Sequence, residues 1–331
     1  MTKLTSSEIN KTTSIWFITI FISALLFSLT PYWPIKKDLQ LPLVRDNFDT
    51  LVYWQGAQWW QNGTPPYRGT VYDQEINKQV IHSGSVPFLA EAYPQLAMMY
   101  FTVPALFTND FSTYQALFFI WNAIWLWALL IITRKLLKLL GQNNSRLYYL
   151  LLPSFLFFTF NRYDILPACL VMGAILLLLE KKSKRSFILL GLSFLAKLYP
   201  LILLPLFLLY DRQNNNSNLK SLGIFSITIL APLALFVAWT GWLPSLTPYF
   251  IHFGHATQGS LLNVFGSIIH SQNIYSALRY LFTLLQFILP LFISLILIWP
   301  KNQKRKLQIQ PDHFINLAAI TLLLFIIFSN F

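Results

Sequence analysis

The sequence predicts an all-α polytopic membrane protein, a bundle of about nine transmembrane helices, two of them short half-helices, with a long outer loop bearing interfacial helices. Three observations predict it. Of 331 residues, 55% are hydrophobic and only 11% are charged, whereas soluble domains carry about a quarter charged residues. The apolar residues gather in runs long enough to enter a hydrocarbon core roughly 30 Å thick. Several of the short connectors between runs are strongly basic, as cytoplasmic loops are.

The first run, 14 to 30, follows Lys3 and Lys11 and lacks a small-residue cleavage site, so it reads as a retained helix and not a signal peptide. Residues 31–110 form a first extracytoplasmic loop within a single transmembrane domain covering 1–331. In that loop, 49 to 62 has the pattern of an amphipathic helix, and 93 to 108, with Pro94 and Pro104, reads as a helix lying in the outer interface. Further runs occupy 112 to 133, 147 to 160, 165 to 179, 187 to 210, 219 to 240, 275 to 299 and 314 to 331. The run at 187 to 210 goes out and returns, turning at Lys197-Leu198-Tyr199-Pro200. Each arm is then too short to span alone and must be packed inside protein.

Charge fixes the expected orientation. Arg134, Lys135, Lys138 and Arg146 form one basic connector; Lys181, Lys182, Lys184 and Arg185 a second; Lys301, Lys304, Arg305 and Lys306 a third. Placing all three in the cytoplasm with the N-terminus assigns sixteen basic residues and four acids inside, and eight of each outside. The formal net charge of +12 is then entirely cytoplasmic, so it records topology and implies no nucleic-acid partner. The neutral outer face suits uncharged substrates such as sugars. The single cysteine, Cys169, lies in an apolar run and excludes an internal disulfide and a cysteine-based metal site.

Few residues remain that could carry chemistry. Asp46 and Asp49 stand at the start of the amphipathic helix beside Tyr53, Trp54 and Trp59. A carboxylate there either complements the helix dipole or works as a general base among rings that stack on sugars. Asn161-Arg162-Tyr163-Asp164 is a polar outer turn whose Arg162 could pair locally with Asp164 or meet a phosphate at headgroup depth. Lys197 sits in an otherwise uncharged stretch, where a lysine costs roughly 2.5 to 3.5 kcal/mol on insertion scales. It either snorkels to the outer surface or meets a lipid phosphate at the break. His252 and His255 occupy an outer loop, 241 to 274, that has no cysteine and no acid, so they read as neutral or phosphate-contacting groups, and no metal or other cofactor is expected. Broken helices with an intramembrane lysine also occur in transporters and lipid flippases. The lack of an inverted repeat and the placement of the acids in an outer loop argue against that alternative.

These segments resemble a known group. Phe48-Asp49-Thr50-Leu51-Val52-Tyr53 followed by Gly63-Thr64-Pro65-Pro66-Tyr67, then Pro87-Phe88, Tyr93-Pro94 and Pro104, then Gly191-Leu192 through Lys197-Leu198-Tyr199-Pro200, resemble in order the motifs of glycosyltransferase family 87, within the GT-C superfamily. Gln95 stands where the pattern has a second proline. The resemblance implies a GT-C-type bundle that transfers a sugar, mannose favoured, from a polyprenyl-phosphate-linked donor to a lipid or glycan acceptor at the extracytoplasmic face, with inversion. It implies that Asp49 is the catalytic acid residue deprotonating the acceptor hydroxyl. It further implies that Lys197, with Arg162, His252 and His255, binds the donor phosphate, and that Asp46, Tyr53, Trp54 and Trp59 shape the acceptor groove. Membrane lipids are the remaining partners, and nucleic acid is not one. Family members commonly continue past a Ser-Asn segment, so ending at Ser329-Asn330-Phe331 suggests a short member or part of a longer chain.

Overall fold

The computed structural model describes residues 6–29, 47–61, 93–214, 216–241 and 309–328, with isolated positions between 246 and 292. Every described element is helical: α1 (Ser6–Leu29), α2 (Asn47–Gln61), α3 (Gln95–Ala105), α4 (Phe111–Leu139), a 3-10 helix (Asn144–Leu151), α5 (Pro153–Asn161), α6 (Ile165–Leu179), α7 (Ser183–Ala196), a second 3-10 helix (Tyr199–Leu203), α8 (Leu204–Gln213), α9 (Asn218–Thr240) and α10 (Pro311–Phe328). The expected helix over 275–299 lies outside the described residues except for isolated helical positions. On length and composition α4 and α9 can each cross a membrane, and α5 with α6 form a bent pair that could make a third span. The chain is membrane-embedded.

The residues fall into two compact units, Met1–Ala90 with Leu96–Met172, and Glu91–Gln95 with Gly173–Phe331. In the first, α1 packs along α4, and Phe27 meets Phe119 edge-on (5.9 Å) and tilts against Phe160 (4.7 Å). Asp110 starts α4: its carboxylate accepts from the Thr113 backbone N–H and hydroxyl, both at 2.8 Å. Those bonds hold the Asp110 carboxyl below its ordinary value.

The run at 147 to 160 is not one helix. Leu152 is extended (φ −59°, ψ 138°) because Pro153 follows it, and a residue before proline is pushed out of the helical region. Proline then opens α5, where its missing N–H leaves no bond unmade. The nine-residue α5 is about 14 Å long, too short to cross by itself, and bends 107° against α6.

In the second unit α7 packs closely on α9. A Cβ on Gly191 would meet Thr228 side-chain atoms at 3.0 Å and the Phe225 carbonyl at 3.3 Å, so glycine allows an approach that any larger residue would force apart by a few tenths of an ångström. The expected break is present. α7 ends at Ala196, Lys197 is extended (φ −161°, ψ 146°), and the chain passes through a 3-10 turn into α8. At the other end of these helices the buried Asp211 carboxylate accepts from the hydroxyls of Ser183 (2.9 Å) and Ser221 (2.6 Å) and from the Asn216 amide (2.8 Å). One side chain thereby ties α8 to the beginnings of α7 and α9.

Candidate active site

The site is built where α2 meets the turn between α5 and α6. Asp49 falls in the first turn of α2, where a carboxylate faces the unpaired N–H groups of the helix start. α2 is fixed by its neighbours. The Gln115 amide on α4 donates to Thr50 Oγ1 at 2.8 Å, and the Gln61 amide donates to the Ala105 carbonyl at the end of α3. Tyr53, one turn beyond Asp49 and 1% exposed, stacks on Phe101 (4.3 Å, 14°) and meets Tyr163 edge-on at 5.7 Å. Trp54 packs edge-on against Phe111 at 5.7 Å, and its buried indole N–H finds no acceptor among the described residues.

Against this face the Arg162 guanidinium forms an ion pair with the Asp49 carboxylate. The two partners are unequally covered: the Asp49 side chain is 9% exposed and that of Arg162 is 34% exposed. Burying a carboxylate without a partner is costly, so the ion pair offsets the desolvation of Asp49, while about a third of the Arg162 side chain stays exposed. Arg162 is itself held as the cap of α5. Its N–H donates to the Phe158 carbonyl (2.9 Å), and its carbonyl accepts from the Asn122 amide of α4 (3.3 Å). Asn122 also donates to the Phe160 carbonyl (3.0 Å) and accepts from the Tyr100 hydroxyl.

The residues expected from sequence are thus distributed as follows. Asp49, Arg162 and Tyr53 come together in the first unit, with Trp54 on the same helix. Lys197 lies in the second unit at the α7 break, partly covered, with its backbone N–H donating to the Ser193 carbonyl at 2.9 Å. Asp46, His252 and His255 lie outside the described residues, as does the Trp59 side chain. Gln95, at the family's proline position, accepts from the Tyr249 hydroxyl, and Tyr249 stacks on Phe194 of α7 (5.4 Å, 10°). Burial raises the Tyr249 hydroxyl above its ordinary value, so it serves as a donor. Sequence reading passed over Asn122 and Tyr100. Their one signal is an amide within the uncharged aromatic run Trp121-Asn122-Ala123-Ile124-Trp125. Among the described residues no three metal-ligating side chains converge.

The family model for glycosyltransferase family 87 matches residues 92–326, which hold Arg162, Lys197 and the α7 break. Asp49 and α2 precede the match, so the case for Asp49 rests on its geometry. No curated protein and no solved structure matches the chain. With about seven-tenths of its length covered by the match, the chain belongs to glycosyltransferase family 87.

Proposed function

We propose that this glycosyltransferase has a GT-C-type bundle and moves a sugar, mannose favoured, from a polyprenyl-phosphate donor to a lipid or glycan acceptor at the extracytoplasmic face. The observation that carries this reading is the ion pair between the covered Asp49 and the half-open Arg162. The donor phosphate engages the Arg162 guanidinium, and Lys197, His252 and His255 are the further phosphate-binding candidates that the family resemblance names. With Arg162 turned to the phosphate, Asp49 is free to take the proton of the acceptor hydroxyl. That oxygen attacks the anomeric carbon from the face opposite the phosphate, the bond from carbon to phosphate oxygen breaks, and the sugar is transferred with inversion. The cations stabilise the charge gathering on the departing phosphate. Asp46, Trp54 and Trp59 define the acceptor side, and Tyr53, buried against Phe101, contributes to it by holding α2 in place. No cofactor takes part.

Membranes containing the full chain, incubated with radiolabelled polyprenyl-phosphate sugars, test the reading. Label is expected to pass from the mannose donor to a lipid or glycan in the presence of a chelator. Label moving only from a nucleotide sugar overturns the donor assignment, and loss of transfer on chelation overturns the cofactor-free chemistry.

A further inference from the structure

We infer that Asn122, anchored by Tyr100, is a positioning residue that sets where the Arg162 guanidinium stands; this rests on the reading of Arg162 as the phosphate-binding cation. Asn122 is fully buried in the middle of α4, in a run where an amide without partners costs free energy that apolar surroundings cannot return. All of its capacity used here is directed at one place. Its two amide hydrogens point to the carbonyls of Phe160 and Arg162 (3.0 and 3.3 Å) and its oxygen accepts from Tyr100.

The first of those carbonyls belongs to the last turn of α5, which the helix itself leaves without a donor. The second belongs to Arg162. Asn122 therefore caps α5 from a neighbouring helix and fixes the first residue past its end. The side chain attached to that residue is the one that reaches Asp49. Tyr100 completes the amide: the two carbonyls only accept, so they take the NH2 group, and the hydroxyl donates to the remaining oxygen and anchors that end. Tyr100 is locked by rings on several sides, Phe101, Trp121 and Trp125 among them, at centroid distances of 6.4, 5.6 and 6.0 Å. A chain of packed rings, one hydroxyl and one amide thus holds the backbone of the phosphate-binding arginine. A small displacement there moves the guanidinium relative to both the phosphate and Asp49, where positional error is expensive.

The test measures binding of radiolabelled polyprenyl phosphate to the purified full chain, together with donor KM and kcat, for Asn122→Ala, Tyr100→Phe, Arg162→Ala and the two doubles with Arg162→Ala. Arg162→Ala is expected to weaken binding at least tenfold, Asn122→Ala roughly tenfold, about 1.4 kcal/mol, and Tyr100→Phe severalfold. In the Arg162→Ala background the Asn122→Ala and Tyr100→Phe effects should vanish, since a residue acting through Arg162 has nothing left to act on. Tyr100→Phe keeps the ring packing and reports even where Asn122→Ala fails to fold.

If Arg162→Ala binds normally, the underlying reading of Arg162 fails. If Arg162→Ala is impaired while Tyr100→Phe and any folded Asn122→Ala bind normally, the positioning role alone is overturned. Unchanged losses in the double variants overturn it as well, because a purely structural amide would add its effect independently.

Discussion

At the residue scale the chain separates into a covered acid and a half-open base. Asp49→Asn keeps the volume and removes the proton acceptor, and general-base catalysis contributes typically 10²–10⁴-fold, so transfer should fall by at least about a hundredfold with donor binding retained. Measuring turnover against polyprenyl-phosphate binding in the same preparation checks it; full turnover in the variant would remove Asp49 from the mechanism. Arg162→Lys should restore only part of what Arg162→Ala loses, because a lysine is a point charge without the planar fork that spans phosphate oxygens, and donor KM read across the pair tests this. Asp49 and Arg162 were each legible in the sequence, one from its place at a helix start and the other as a charge in a turn between apolar runs. Their pairing was not. The local alternative, Arg162 with Asp164, is what sequence proximity suggests, and only the packing of α2 against α4 brings the distant partner into reach. Asn122 was hidden for the same reason, since a single amide in an apolar run reads as noise until its two carbonyl partners are placed beside it.

At the element scale the sequence was most readable where the chain is interrupted. Lys197 and Pro200 marked the break after α7, and the helix does end at Ala196. Pro153 was passed over in a run that looked continuous, though the restriction it places on Leu152 divides the run into a 3-10 helix and α5. Gly191 gains its meaning from packing. Adding a methyl there presses on Thr228, whose hydroxyl is already committed to the Ile224 carbonyl at 2.8 Å and whose branched side chain has little freedom. Gly191→Ala should therefore cost on the order of 1 to 3 kcal/mol, as overpacking does, and lower the midpoint of thermal unfolding in detergent, whereas Gly223→Ala, with open space around it, should not. The start of α4 has a pH signature. The Asp110 carboxyl is lowered in the folded chain, so its contribution is present above the ordinary carboxylate range and is lost as pH falls through the folded value. Asp110→Ala should cost about 1 kcal/mol near neutral pH, and the difference between the variant and the parent should shrink as the buffer is acidified. Thermal unfolding at a series of pH values reads both.

At the scale of the whole molecule the charge distribution and the bent pair bear on one question, which side of the membrane each connector occupies. α5 and α6 either form one bent span or a hairpin that enters and leaves by the same face. The basic connectors on either side of them, ending at Arg146 and beginning at Lys181, argue for the hairpin, because one span would carry a basic cluster to the outside. The Asp49 and Arg162 pair points the same way if α2 lies outside as the charge pattern predicts, since it holds the turn between α5 and α6 against α2. Cysteine labelling decides the matter, and the chain is suited to it because its only cysteine is buried. In a Cys169→Ser background, Asn109→Cys should react with a membrane-impermeant maleimide in intact cells. Ser145→Cys and Lys182→Cys, both at exposed positions, should react only after permeabilisation. Labelling of Lys182→Cys but not Ser145→Cys in intact cells would make α5 and α6 a single span. Everything from α7 onward would then invert, and the Lys197 break would stand on the cytoplasmic side, away from a donor presented outside.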